Sequence, residues 1–596
     1  RRSRDGAKAM HYYAARARED APGLALEAVR EALRAAWREE GLARHARLVE
    51  ALVTAGELAQ ALADAALRAR GGLDDDDPAA AAAMALTGAA ARAVWASWRS
   101  RFRSAALPAP AEVERLSGDV ERRCDPARAL RVTVPEGYAH YALYPETYGE
   151  AAAEAFGADD RPPVVVGIRS IGTGLAALVA AAAGASEVAT VRPVGHPWER
   201  SLALGGALAA RLAAAARGGV PLAVVDEGPG LSGSSFASVA RWLERAGAAP
   251  GSIHFFPAHG APLGHAAAPE VRARWERSAR HLAPFETAVA PRLAGWASEL
   301  AGPLGALTDV SAGAWRRHAH TDPARWPPVF AQAERRKYLA RAAAGAVLLR
   351  FAGLGSYGAA ALRRARALAG AGFAPPALGL AHGFVVERWV EGEPLDAPRA
   401  PREALVRHLA RYLAFRARTF PAGGGDGASP ERLLELIAVN AREALGPEAE
   451  AAARALEPGA RLAATLARCD VDAKLEAWEW LVVDGGVLVK TDAVDHAHGH
   501  DLVGPQPIAW DVAGAAVELG LDATARDDLA ARVALEAGCA VPPEALAFLE
   551  AAYLAQRVGR WSFALACEGD PAERERIAAL LARYRTRLAR ALGQRA

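Results

Sequence analysis

Between Val224 and Ser235 the chain reads Val224-Val225-Asp226-Glu227-Gly228-Pro229-Gly230-Leu231-Ser232-Gly233-Ser234-Ser235. An apolar run ends in adjacent carboxylates, and a loop of small residues leads from them into a helix. Backbone N–H groups of such a loop and of the helix N-terminus point at one spot, where they favour an anion. The glycines, Gly230 and Gly233 among them, allow close approach of the backbone, and the hydroxyls of Ser232, Ser234 and Ser235 add donors. The carboxylates of Asp226 and Glu227 can accept hydrogen bonds from vicinal sugar hydroxyls, which phosphate oxygens cannot supply. These residue types in this order suit a sugar phosphate. The plainer alternative is an ordinary strand–loop–helix corner.

An earlier strand, Val164–Gly167, runs into Arg169 and Ser170. The planar guanidinium of Arg169 is suited to clamping a phosphate, or it caps the sheet edge. A further loop, Arg192 to Arg200, carries Arg192, His196 and Arg200, each of which also reads as surface. Tyr138, Tyr141 and Tyr144 precede these strands and either pack on the sheet, the favoured reading, or stack on a base. The segment Asp226–Ser235 resembles the ribose-phosphate signature of type I phosphoribosyltransferases: an apolar strand, two acids and a loop ending Thr-Gly-x-Thr. Ser232-Gly233-Ser234-Ser235 stands at that ending, with one extra loop residue and a Gly-Pro-Gly segment before it. The resemblance spans roughly 130 to 290. It implies Asp226 and Glu227 as the catalytic acids, Arg169 and Ser170 on a pyrophosphate loop, and Arg192–Arg200 as a hood. It also implies Mg²⁺ and phosphoribosyl pyrophosphate, with displacement of pyrophosphate at the anomeric carbon through an oxocarbenium-like transition state, or the reverse cleavage.

A second set of residues lies further on. Phe384-Val385-Val386-Glu387-Arg388-Trp389-Val390-Glu391-Gly392-Glu393-Pro394-Leu395 reads as strand, hinge and turn. Cys469-Asp470-Val471-Asp472 follows, then Leu488–Lys490 with Thr491-Asp492, and then Trp510-Asp511-Val512-Ala513. These segments resemble the aminoglycoside phosphotransferase branch of the protein-kinase-like fold, over 305 to 596. Phosphoryl transfer needs one carboxylate to orient the attacking hydroxyl and another to hold Mg²⁺ on the phosphates of ATP. The resemblance implies Asp472 for the first role and Asp492 for the second, with Glu479 as a further metal ligand. Arg350 stands where the small lobe has its nucleotide-binding lysine, and Glu387 lies at the adenine hinge. The His-Gly-Asp start and its asparagine are missing at their standard spacing, which fits a divergent kinase or an inactive one. Asp495, His496, His498, His500 and Asp501 form either a transition-metal cluster or a polar loop. Gly353-Leu354-Gly355-Ser356-Tyr357-Gly358 matches a dinucleotide-binding turn, but Pro375-Pro376 interrupts the strand that should follow. A glycine-rich turn in a kinase-like small lobe is the preferred reading.

The elements that must carry these residues follow from texture. With 596 residues the chain needs more than one core. Residues 1–128 read as a helical region rich in Ala, Leu, Arg and Glu, in which Asp74–Asp77 and Pro78 form a solvated loop that ends one helix and starts another; an acidic metal cluster is the alternative. Residues 129–300 alternate strand and helix, which predicts a parallel sheet covered on both faces. Residues 301–596 open with strands and become mainly helical after about 400, an α+β arrangement, with a hairpin near 481–490. The fold class is therefore multidomain α/β, with a phosphoribosyltransferase-like parallel sheet and a bilobal kinase-like part.

The 71 basic and 69 acidic residues are mixed and leave a net charge of +2, so neither nucleic acid nor a membrane surface is an expected partner. The 4 cysteines form no CxxC pair, which suits a reducing cytosol. The most apolar run, Gly174–Gly184, is about half of what a membrane helix needs. A cytoplasmic location is the default, although Arg1 stands where a methionine would start the chain. Small-molecule substrates are expected, and self-association stays open. The sequence thus points to a bifunctional transferase that makes or breaks a phosphoribosyl bond and phosphorylates a small metabolite with ATP. The rivals are a non-catalytic sensor of phosphoribosyl pyrophosphate or nucleotides, and an NAD-dependent oxidoreductase built on Gly353–Gly358.

Overall fold

The computed structural model describes residues 17–594 except 105, 158–160, 265–266, 321, 424–425, 495 and 500–501. Of the expected histidine–aspartate cluster, Asp495, His500 and Asp501 lie outside the described residues.

The N-terminal region begins with strand β1 (Ala17–Asp20), followed by helices α1 (Pro22–Arg38), α2 (Gly41–Ala69), α3 (Pro78–Arg99) and α4 (Pro110–Glu121). Strand β2 (Leu130–Thr133) returns antiparallel to β1, with Ala17 opposite Thr133. By length and composition α3 could cross a membrane; here 67 % of its most apolar window is buried inside the protein. Helix α5 (Pro145–Phe156) then leads to the middle sheet.

That sheet comprises β3 (Val164–Ile168), β4 (Val188–Val191), β7 (Leu222–Val225), β8 (Ile253–Phe256) and β9 (Ala279–Arg280), all parallel, in the order β4-β3-β7-β8-β9. Its strands are nearly continuous apolar runs because both faces are covered. Val165, Ala223 and Val225 face helix α6 (Gly172–Ala183), whose Leu175, Leu178 and Val179 are buried, and Phe256 packs on Phe156 of α5. Val164, Val166, Val224 and Phe255 face α7 (Gly206–Arg217) and α8 (Ser234–Arg245). The hood segment is not a plain loop. It is a ribbon of β5 (Val194–His196) and β6 (Glu199–Ser201), with Gly195 opposite Arg200.

After α9 (Ala290–Ala301) comes a five-stranded antiparallel sheet: β10 (Thr308–Asp309), β11 (Lys337–Ala342), β12 (Gly345–Phe351), β13 (Ala377–Ala381) and β14 (Phe384–Arg388), ordered β10-β11-β12-β14-β13. Helix α10 (Ser356–Gly370) connects β12 to β13. The dinucleotide reading of Gly353–Gly358 is thereby corrected: β12 has antiparallel neighbours on both sides, so no parallel βαβ unit exists there. The glycine turn is packed shut, since a Cβ at Gly355 would lie 3.1 Å from Glu50 Cα and one at Gly353 2.7 Å from Tyr357 Cβ.

The last part is helical, as expected. Strand β15 (Glu393–Pro394) and helix α11 (Arg402–Thr419) precede the hairpin β16 (Trp480–Val483) and β17 (Val487–Lys490). Helices α12 (Ala509–Glu518) and α13 (Pro543–Cys567) then pack in one core with α11, burying Leu409, Trp510 and Phe548 among others.

The cores do not follow the expected divisions at 128/129 and 300/301. One apolar core runs from Leu52 and Val94 in the N-terminal helices, through Leu175 in the middle part, to Phe351 and Phe384 in the antiparallel sheet. A buried polar cluster pins the same three parts: His45 Nε2 lies 2.7 Å and His382 Nε2 2.8 Å from one oxygen of Glu146. Burial alone would raise the Glu146 carboxyl, but the two imidazoles outweigh it and hold the group below its usual range.

The acidic run Asp74–Asp77 also departs from expectation, because it is a clamp rather than a solvated loop. Asp74 is 2 % exposed and accepts from Arg169 Nη2 (2.7 Å) and the amide of Arg192 (2.8 Å). Asp75 accepts from the Leu208 amide near the start of α7, and Asp76 pairs with Arg211. Asp77 does cap α3, accepting from the amides of Ala79 and Ala80.

Candidate functional site

A cavity of about 2300 Å³ is lined by residues of the middle sheet's loops and by residues between the five-stranded antiparallel sheet and the helical last part, here called the two lobes. Ligand pockets usually measure about 300–1,000 Å³. This cavity therefore has room for more than one small molecule.

On the first wall, Asp226 and Glu227 leave the end of β7 and are half-buried at the cavity surface. The amide of Glu227 donates to Asp226 Oδ1, and Tyr148 Oη donates to the Asp226 carbonyl. Burial raises the Asp226 carboxyl to about 7, against smaller opposing effects of the Glu227 amide, Arg192 and Arg200. Burial, followed by repulsion from Glu136 and Asp226, raises Glu227 to about 8. Glu136 is a third acid on this wall and belongs to no motif in the sequence.

The loop after the acids turns at Gly230 (φ +59°) and Gly233 (φ +62°). A Cβ at Gly233 would lie 2.6 Å from Leu263 Cδ1, so glycine is required there on both counts. Gly230, Ser232 and Ser235 line the cavity, and at the start of α8 the Ser234 amide donates to Ser232 Oγ at 3.3 Å. The serine hydroxyls are arranged differently from the expectation. Ser232 Oγ and Ser234 Oγ donate to the Pro197 carbonyl at 2.8 and 2.6 Å, fastening the β5–β6 ribbon over the loop, and Ser234 is buried behind it.

Arg169 requires a correction. Its guanidinium is paired with Asp64 (3.0 Å) and Asp74 (2.7 Å), which ties the loop to the N-terminal helices. Arg169 and Ser170 both line the cavity. Arg192 is likewise held by Asp64, and it donates to the Arg169 carbonyl. Tyr138 and Tyr144 are buried as packing residues, whereas Tyr141 is exposed on the cavity wall.

On the second wall, the segment from Glu387 through Gly392 lines the cavity where the lobes meet. Arg350 on β12 is buried with its Nη2 3.9 Å from Glu387 Oε2 on β14. Lys337, paired with Arg350 across the β11–β12 ladder, is the cation that reaches the opposite lobe, with Nζ 3.9 Å from Asp492 Oδ2. No motif marked Lys337; only the strand register brings it to the Arg350 position.

Asp492 follows β17, and its carboxylate groups with those of Glu479 and with His496. The ligand atoms of these three residues lie within 4.8 Å of one another. Against the effect of burial, His496, Lys337 and Arg350 hold Asp492 well below the usual carboxylate range. Burial raises Glu479 to about 7, although Lys490 Nζ lies 2.5 Å from its Oε2. Among the described residues the buried His496 Nε2 makes no hydrogen bond, and it lies 3.4 Å from Asp492 Oδ1. Two carboxylates and an unsatisfied nitrogen form a donor set that fits a divalent cation, with the oxygens suited to Mg²⁺.

Asp472 requires the second correction. Its carboxylate has no exposed surface and accepts from Tyr412 Oη, with His496 Nδ1 at 3.2 Å and Lys490 Nζ at 3.5 Å. Lys490, His496 and Arg416 overcome the burial penalty and keep it ionised. It lies under the cavity floor. The next cavity-lining residue is Lys474, followed by Glu476, which is paired with Arg557 at 3.4 Å. Asp511, at the start of α12, fixes the turn by accepting from the amides of Asp472 (2.6 Å) and Ala473 (2.9 Å).

No family model matches the chain, and no curated protein matches its sequence. Solved structures resemble part of it. Choline kinase LicA from Streptococcus pneumoniae is 13 % identical, covering 43 % of this chain and 89 % of its own at a TM-score of 0.31. An aminoglycoside phosphotransferase from Alicyclobacillus acidocaldarius is 13 % identical over 43 % and 89 %, with a TM-score of 0.27. A glucosamine kinase is 17 % identical over 43 % and 76 %, with a TM-score of 0.32.

Proposed function

We propose that this chain is a two-site transferase acting on small molecules. Its C-terminal cleft takes Mg²⁺ and ATP, and its middle-sheet loop takes a phosphorylated ribose. The observation that carries this reading is the common cavity, in which the acid pair and the glycine–serine loop face one compartment with the Glu479–Asp492–His496 cluster. In the cleft, Asp492 and Glu479 would hold a metal that shields the phosphates, and Lys337 would add charge from the upper lobe. Five antiparallel strands with one helix between the third and fourth, a hinge, and an aspartate after a hairpin support a kinase-like part. On the other wall, Asp226 and Glu227 would bind ribose hydroxyls or a metal bridging them to pyrophosphate, while the Gly230–Ser235 loop seats the 5-phosphate. The parallel sheet and the two loops leaving the carboxyl ends of β3 and β7 support a phosphoribosyltransferase-like part.

The test is thermal denaturation with Mg²⁺ plus phosphoribosyl pyrophosphate or ATP, followed by assays for pyrophosphate and ADP. Each ligand should raise the melting temperature. Asp226→Asn should remove the first response and Asp492→Asn the second. Binding of both ligands without release of either product would instead support a sensor. That second reading is favoured by the pairing of Arg169 with Asp64 and Asp74 and by the full burial of Asp472.

A further inference from the structure

The loop that should orient the phosphoryl acceptor is inverted in charge. In kinase-like catalytic loops the hydroxyl-orienting aspartate stands five residues before the metal-binding amide. Here Glu479 takes the second position, and the residue five before it is Lys474. The backbone supports the same register independently. Asp511 holds the amides of Asp472 and Ala473, and Ala473 adopts φ +62°, so the chain turns there and presents Lys474 at the cavity surface. Asp472 is turned into the core. Glu476, two residues on, is buried against Arg557, and burial is outweighed by Arg557 and Lys474, which keep it ionised.

An ammonium cannot accept a proton from an alcohol, but it can hold an oxyanion. We infer that the phosphoryl acceptor at this site is an oxygen already carrying negative charge, a carboxylate or a phosphate, held by Lys474. This rests on the phosphotransferase reading given above and specifies its substrate class. In the transfer, a lone pair of the acceptor oxyanion forms the new O–P bond to the γ-phosphorus. The bond from that phosphorus to the β,γ-bridging oxygen breaks, and its electron pair leaves on ADP. No proton has to leave the acceptor, so no base is needed where Lys474 stands.

The experiment titrates inorganic phosphate into full-length protein saturated with the non-hydrolysable analogue MgAMPPNP, reading the melting temperature. To keep the Gly230–Ser235 loop out of the signal, the titration is repeated in Ser232→Asp, which sets a like charge against any anion seated on that loop. The expected result is a saturable rise in both proteins. In Lys474→Met the apparent phosphate affinity should weaken by about tenfold or more, as for loss of a charged hydrogen bond, and Lys474→Arg should keep it. Acetate in place of phosphate tests the carboxylate arm in the same way. A rise that survives Lys474→Met, or no saturable rise with either anion, overturns the inference. Absence of a response to MgAMPPNP itself overturns the phosphotransferase reading instead. If the serine variant does not fold, the comparison of wild type with Lys474→Met and Lys474→Arg carries the decision.

Discussion

Asp226 and Glu227 sit where a ligand must pay for what folding has already cost: two carboxyls that burial raises to about 7 and about 8. In the unfolded chain they titrate near ~4. Between that value and their folded values the native protein binds more protons than the unfolded one, so stability falls as pH rises through this window. The ligand-free melting temperature should therefore decline from pH 5 to pH 8, and Asp226→Asn should flatten the decline. A metal-bridged phosphosugar needs the ionised acids, so the rise in melting temperature caused by Mg²⁺ and phosphoribosyl pyrophosphate should grow over the same range. A ligand response that shrinks with pH would exclude the acid pair from binding. Asp472 predicts a different signature. Removing it with Asp472→Ala takes one of two carboxylates from the buried Lys490 and the acceptor from Tyr412 Oη; breaking a buried pair costs about 3–5 kcal/mol, so a large drop in melting temperature is expected. Lys474→Met, at the cavity surface, should leave stability close to wild type. The acid pair and the glycines were legible in the sequence because local order decides what they can do. The burial of Asp472 was not legible because a spacing motif gives no side-chain direction; the turn at Ala473 is fixed by Asp511 far along the chain, and Lys474 follows it at the cavity.

At the scale of elements, strands β3, β4, β7 and β8 and the hairpin β16–β17 were readable from apolar runs and turn residues. What pins them was not. The clamp of Asp74 on Arg169 and Arg192 joins a helix connection to two sheet loops through residues about a hundred positions apart, and no periodicity encodes such a pairing. Its consequence is testable. Asp74→Ala leaves the Arg169 guanidinium with one buried carboxylate fewer and should cost about 3 kcal/mol or more. Asp77→Ala removes the cap of α3 and a partly exposed pair with Arg70, and should cost about 1 kcal/mol. Denaturant melts of the two variants should keep that order. Equal losses would mean that Asp74 is not the clamp. Because the Arg192 amide bonds Asp74, the Asp74 variant should also loosen the β5–β6 ribbon, read as faster proteolysis there.

At the scale of the whole molecule, a change of texture in the sequence suggested three parts, and the structure assigns the apolar surface differently. Helix α6 is sandwiched, its inner side on the middle sheet and its outer side under α2 and α3. Gly56 of α2 comes so close that a Cβ there would lie 3.2 Å from Gly174 Cα. The same core continues to Tyr338, Phe351 and Phe384 of the antiparallel sheet. Composition could not reveal this, because alanine-rich helices look alike whether they fold alone or cover a neighbour. A fragment comprising 129–596 would expose the outer side of α6 and leave Glu146 and His382 without His45. Burying several large apolar side chains contributes about 1.5–3 kcal/mol each, comparable in sum with the whole stability of a domain. The fragment should therefore aggregate on expression or lack a cooperative melt, and co-expression with 1–128 should restore both solubility and the cooperative transition. A monomeric 129–596 fragment that melts cooperatively and still responds to phosphoribosyl pyrophosphate would show the N-terminal helices to be dispensable, and the continuous core would then contribute little to holding the cavity's first wall in shape.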